Sequence, residues 1–243
     1  MRTALSASVT LLAVLTWSTT GHSAGAAADV SPVVHRFLTS NDRPLSGFVA
    51  ARHLEASSRN GSIRGALDAC TELAGDVFRY RIIHEEGSGQ IRRHVLVAAL
   101  EAEARMRQNG DVRRSSLDPI NYMFADNREE PDGLTRVEVR ALRQDVTLIN
   151  GAIFVEPEGD LVRVEGVLAK RPSFWTRRVE VVRRYARIDG VRVPVSMESM
   201  ADVLIFGRSS FTMTYDYQAI NGTPLAPATA ALRPRCGPEP VGE

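Results

Sequence analysis

Residues able to do chemistry are few and scattered in this chain. His53, Cys70 and His84 fall on segments with strand-like alternation. Three strands would have to be neighbours for them to share a metal ion, and no close pair such as His-x-x-x-His supports that. Gly87-Ser88-Gly89 lacks the Gly-x-Ser-x-Gly spacing of a nucleophile elbow. Ser88, flanked by His84 and His94, reads as a turn or helix cap. Glu165, Glu180 and Glu198 stand among Arg163, Arg184 and Arg192, the pattern of ion-pair ladders on a solvated sheet face rather than a glycosidase pair. Phosphate-cradling glycine loops are missing from the sequence. No catalytic residue, metal or cofactor is assigned, and the chain reads as a binding protein rather than an enzyme.

Two apolar features carry more. Phe211, Met213, Tyr215 and Tyr217 alternate along one segment, and Phe78, Tyr80 and Ile82 along another, so each set projects from one face of a strand. Either these are plain core, or, together with Val95 on a helical segment, they wall a ligand cavity in which tyrosine hydroxyls meet a lipid head and rings meet its chain. Phe174-Trp175 sits between two strands and is flanked by Lys170, Arg171, Arg177 and Arg178. Aromatics in a basic setting make a rim loop facing an anionic membrane, or a plug folded over the end of the sheet.

The elements that position these residues follow from length, composition and period. The 243 residues are 44% hydrophobic and 24% charged, with a formal charge of +1, which fits one globular domain and gives no basic field for nucleic acid. Arg2, the uncharged apolar stretch from Ala4 to Trp17 and the small residues at 24–28 have the layout of a secretory signal peptide over residues 1–28, cleaved after Ala26 or Ala28. No cysteine follows the apolar run, so it is no lipoprotein signal. Lys170 is the sole lysine in the sequence, a bias that GC-rich coding produces. In an oxidising compartment two free thiols are unusual, so Cys70 and Cys236 are a possible disulfide.

A short helix is expected over 30–41, with Ser31-Pro32 at its start. Phe48, Ala50, Arg52, Leu54 and Ala56 then alternate with Val49, Ala51, His53 and Glu55, and Asn60-Gly61 marks a hairpin. Strands follow over Ile63–Thr71 and Val77–Glu85. From 89 to 108 the period becomes helical: Ile91, Val95, Ala98, Ala99, Ala102 and Met106 form one stripe, while Arg92, Glu101, Glu103 and Arg105 lie mostly outside it. Ser88 caps its start and Asn109-Gly110 its end. From about 119 the chain reads as an antiparallel meander. Turns are expected at Asn150-Gly151, Glu158-Gly159, Asp189-Gly190 and Gly207-Arg208, and the pattern stops at Asn221-Gly222. Residues 223–243 read as a disordered tail. The fold class is mainly β with two covering helices: a large curved antiparallel sheet or unclosed β-barrel over residues 29–222.

This order of elements, with Leu161-Val162-Arg163-Val164-Glu165-Gly166, Pro172-Ser173-Phe174-Trp175, Tyr185, Gly190-Val191-Arg192-Val193-Pro194 and Tyr215-Asp216-Tyr217, resembles the LolA/LolB-like fold of bacterial envelope proteins. The resemblance spans about residues 30–222. It implies an unclosed barrel with a helical lid over a hydrophobic cavity, and a soluble, monomeric periplasmic protein that binds a lipid or an acylated lipoprotein as carrier or sensor. It further implies a partner protein in the inner or outer membrane. The other readings are an interaction module using an open sheet edge and an envelope hydrolase. The long helix is expected to be the lid, its stripe on the concave side and Glu101 and Arg105 in water.

Overall fold

A computed structural model describes residues 31–40, 42–174, 176–204, 207–226 and 235–236. The segment read as a signal peptide and Trp175 lie outside them. Helix α1 (Pro32–Thr39) carries proline at its start and buries Val34 and Phe37. Three strands follow, β1 (Gly47–Ser58), β2 (Ile63–Ala74) and β3 (Val77–Gly87). The helical segment then starts with the short α2 (Gly89–Ile91), passes through a π-helical turn at Arg92–Val97 and continues as α3 (Ala98–Gln108). A 3₁₀ turn (Asp111–Ser115) leads to seven long strands: β4 (Tyr122–Glu129), β5 (Thr135–Ala141), β6 (Ile149–Val155), β7 (Leu161–Leu168), β8 (Thr176–Ile188), β9 (Val191–Val203) and β10 (Gly207–Ile220).

All of them join one antiparallel sheet in the order β3-β2-β1-β10-β9-β8-β7-β6-β5-β4. The late strands are the expected meander. The first three attach beside its last member, through β1 against β10 over ten residue pairs. The sheet is curved and unclosed, with β3 and β4 as its free edges.

The two helical layers cover the same face. Val164, Arg183, Met197 and Met213 are successive cross-strand partners on β7, β8, β9 and β10 and therefore point the same way. Met213 belongs to the cluster packed by Leu96 and Leu100 of the long helical segment. Val164 belongs to the cluster packed by Val34 and Phe37 of α1.

The turn chemistry holds at most sites. Asn60-Gly61, Asp189-Gly190 and Asn221-Gly222 all have positive φ, and Gly110 is left-handed at the end of the long helix. Asn150-Gly151 is a correction, since both residues lie inside β6. A Cβ on Gly151 would come within 2.1 Å of the Glu165 carbonyl oxygen, and one on Gly166 within 2.4 Å of that of Asn150. The glycine permits close approach of β6 and β7 rather than a reversal. Asn150 contributes a side-chain Oδ1 that accepts from the Ala141 N–H at 2.9 Å.

The stripe of the long helix is also corrected. Leu96 and Leu100 are fully buried and Ala104 packs beside them, whereas Ala102 is exposed. Ile91 is buried and Val95 packs on the same cluster, as expected, but a π turn takes up one residue more than an α turn, so beyond 92–97 the stripe leaves the phase of Ala99, Ala102 and Met106. Glu101 and Arg105 face water, paired at 3.4 Å, but Glu103 turns inward.

Beyond Gly222, in the segment read as a tail, Thr223–Pro224 form a short strand, β11, against β10. Leu225 packs on the cluster around Met213. Cys236 is bonded to Cys70 on β2, and its N–H donates to Gln218 Oε1 at 2.9 Å. The bond spans 166 residues. Loop-closure reasoning assigns such a cross-link about 3–5 kcal/mol. Denatured, unreduced protein should show no reactive thiol, and reduction should lower the unfolding free energy by that amount in a urea titration. Two reactive thiols per chain would mean that the bond is absent.

Candidate functional site

The helix-covered face centres on Arg52. Alternation along β1 places it with Phe48, Ala50, Leu54 and Ala56, and its side chain is 1% exposed. Nη1 and Nη2 donate to Glu103 Oε2 and Oε1 at 2.6 and 3.1 Å, a bidentate pair between the sheet and α3. The guanidinium also lies 4.6, 5.1 and 5.5 Å from the ring centroids of Tyr215, Phe78 and Phe48. Burial alone would pull the Arg52 pKa down. The Glu103 carboxylate outweighs that and holds it above the ordinary value, so the cation persists. Its Nε has no hydrogen-bond acceptor among the described residues.

Aromatic rings extend the site along β10. Tyr215 and Tyr217 stack at 5.9 Å, Tyr217 meets Phe48 edge-on at 5.6 Å, and the Tyr217 hydroxyl donates to the Pro194 carbonyl at 3.0 Å. Burial pushes both phenols up, so they stay neutral. A second guanidinium, Arg183 on β8, points to this face, with Nη2 3.6 Å from Met197 Sδ. No ion pair to Arg183 is formed among the described residues.

Most of the residues read as a cavity wall meet here. Phe78, Met213 and Tyr217 are buried, and Tyr80, Val95, Phe211 and Tyr215 are half-buried against the same cluster. Ile82 is half-buried outside it. Arg52 and Glu103 went unassigned as a site. The available signal was a single arginine among apolar residues of even number on β1, and its partner was hidden by the π turn.

The opposite face carries a polar cluster. His53 Nδ1 is 2.7 Å from Asp68 Oδ1 and Nε2 is 2.8 Å from Glu55 Oε1. Cys70 is spent in its disulfide, so His53, Cys70 and His84 do not form a common ligand set. No group of three metal-ligating side chains occurs among the described residues. A polar cleft of about 650 Å³ lies at the ends of β1, β2, β3 and β10, lined among others by Glu55, Arg64, Glu86, Ser210 and Thr212. Arg163 and Arg178 pair along their own strands with Glu165 and Glu180, and Arg184 pairs across strands with Glu198. Arg192 instead leaves this ladder for Asp42, at 2.7 Å, and lies over the Phe37 ring. Of the rim residues, Phe174 is 81% exposed, and Arg171 and Arg177 are exposed beside it.

The structure thus defines a class: an unclosed, curved antiparallel sheet with helices over one face and a buried cation beneath them. No protein-family profile matches the sequence, and no curated protein matches it. Among solved structures, the chain is similar to a LolA superfamily protein from Nitrosomonas europaea. That match has 11% identity and a TM-score of 0.35, and covers 77% of this chain and 91% of the other.

The His53 cluster gives a pH dependence. Burial lowers the imidazole pKa, but the hydrogen bonds to Glu55 and Asp68 outweigh it, and the folded value lies above the ordinary one. The stabilisation is therefore complete below the unfolded pKa of about 6.5 and is lost as pH rises through the folded value. Melting temperature should fall over that window, and His53→Gln should flatten the profile. A wild-type profile that rises with pH there would refute the assignment.

Proposed function

We propose that this chain binds a lipid or a lipoprotein acyl chain non-covalently between the sheet and helix 89–108, as a periplasmic carrier or envelope sensor. The observation that carries this reading is the Arg52–Glu103 pair. A helix meant only to cap a core is held as well or better by apolar groups of similar volume, because a buried ion pair must offset the desolvation of both partners. A charged latch in an apolar interface instead holds one closed geometry and can be released.

Lifting the helix uncovers Phe78, Tyr80, Ile82, Phe211, Met213, Tyr215 and Tyr217 on the sheet and Val95 on the helix. An acyl chain replaces the helix there, and each methylene buried contributes about 0.8 kcal/mol. Arg52 and Arg183 then face the polar head of the ligand. Binding, not catalysis, is the work of this site. The protein acts as a monomer after loss of residues 1–28 and exchanges cargo with a protein of the inner or outer membrane. Among the described residues no helix is long and apolar enough to cross a bilayer. A second reading, strand addition by a partner, is favoured by the unpaired β3 edge, where Val77 and Ile83 are 50% and 37% exposed.

Native mass spectrometry of protein purified without detergent should show co-purified lipid; a stoichiometric protein in its place would favour the edge reading. Glu103→Gln should cost about 2 kcal/mol, raise amide exchange over 92–108 ahead of the sheet, and speed uptake of a fluorescent fatty acid. Arg52→Leu/Glu103→Leu should keep or raise stability and slow uptake. Wild-type protein that takes up no probe sinks the proposal.

A further inference from the structure

The two ends of the sheet differ in chemistry. At one end lie the β1–β2 turn (59–62), the β5–β6 loop (142–148), the loop after β7 (169–174), Leu204 after β9 and the approach to β4 (116–121). Backbone pairing makes them neighbours along the rim. Asn60 N–H donates to the Arg208 carbonyl at 3.1 Å, Ala169 N–H to Leu148 at 2.8 Å and Leu142 N–H to Asn121 at 2.9 Å. Val203 pairs with both Thr176 and Gly207.

Large apolar side chains stand out from this end. Ile120 and Phe174 are each 81% exposed, Leu142 56%, and Val146 and Leu204 44%. Of the exposed large apolar side chains among the described residues, Val77 alone lies at the opposite end. Cations stand among them, and the two acids of these loops are engaged locally: Asp145 pairs with Arg114 and Arg143, and Asp118 accepts from the Ser116 hydroxyl and the Ile120 and Asn121 N–H groups. Lys170, Arg171 and Arg177 are exposed and form no ion pair among the described residues, and Arg178, Arg208 and Arg64 flank them. The turns of the opposite end carry Asp76, Glu130, Asp132, Glu156, Glu158, Asp160 and Asp189 and no basic residue. Arg128, Arg187 and Arg43 from neighbouring segments pair with three of those acids.

We infer that the end bearing Phe174 and Leu204 docks on an anionic bilayer surface. The apolar side chains are spread over several loops along a rim, so they suit a plane that each enters separately rather than a peptide or a helix. The unpaired cations among them complement anionic head groups, and apolar contact plus basic charge is the combination that holds a peripheral protein at the interface. The opposite end, apolar-poor and acidic in its turns, is repelled and faces away. Helix 89–108 starts at the docking end, where Ser88 N–H donates to the Arg64 carbonyl at 2.7 Å. The inference rests on exposure and charge alone and stands or falls independently of the lid.

Flotation of the full chain with vesicles tests it. Vesicles of phosphatidylglycerol and phosphatidylethanolamine should carry the protein, with binding weakened by salt, and vesicles of phosphatidylcholine should not. Phe174→Ser/Leu204→Ser and Arg171→Glu/Arg177→Glu should each reduce binding by about tenfold, while Val77→Ser leaves it unchanged. All these sites are exposed, and circular dichroism should show the fold intact. Absence of flotation, equal binding to neutral vesicles, or tip variants that bind like wild type would overturn the inference. So would sedimentation showing a lipid-free dimer that the Phe174→Ser/Leu204→Ser variant abolishes, since the rim would then belong to a second copy.

Discussion

A guanidinium with 1% of its side chain exposed is the constraint around which this molecule is arranged. Stripping water from an arginine costs several kcal/mol, and the cost is met only if the charge finds an anion and well-placed π faces. Arg52 has both: the two oxygens of Glu103, and the rings of Phe48, Phe78 and Tyr215. The strand supplies the cation and the helix supplies the anion. Docking of the helix and neutralisation of the charge are therefore one event.

Much of the neighbourhood is explained by that demand. Room for the guanidinium and for a closely seated helix comes from Ala50 and Ala69, both fully buried on β1 and β2. The alanines of β2 made that strand harder to read by β propensity, because alanine contributes little to a pleated surface on its own. The π turn at 92–97 sets the phase of α3 so that Leu96, Leu100 and Glu103 share the inward face. A regular α-helix starting from Ile91 would present a different set. The rings that surround Arg52 come from β1, β3 and β10, which are brought within reach of one another only because β1 lies between β2 and β10.

The outward face has its own fasteners. His53 is held by Asp68 from β2 and by Glu55 along β1, and the Cys70–Cys236 bond secures the far end of the chain to the same strands. These strands thus carry a charge latch on one face and a covalent and a charge-assisted tie on the other. The proposed uptake of an acyl chain requires rigid strands beneath a helix that lifts, since the ligand's binding energy would then go into moving one element rather than loosening the sheet.

Local chemistry was legible in the sequence. Asn60-Gly61, Asp189-Gly190 and Asn221-Gly222 have positive φ because few other residue pairs adopt it without strain. Period 2 and period 3.6 separated strands from helices, and the even positions of β1 already placed Arg52 on the apolar face. What local pattern could not carry was decided by tertiary contact. Asn150-Gly151 has the composition of a turn, yet Gly151 serves a close approach to β7 that exists only once the strands are paired. Glu103 belongs by simple helical periodicity to the solvated side, and one extra residue in a π turn brings it inward. Pairing of β1 with β10 joins residues more than 150 positions apart, and no short-range signal encodes such a contact. The sequence by itself determined most of the strands and helices and which faces of the strands are apolar, because these follow from neighbours along the chain. The closing of β1 onto β10, and with it the pairing of one buried cation with one carboxylate, belonged to the tertiary structure, because only packing decides which charge is removed from water.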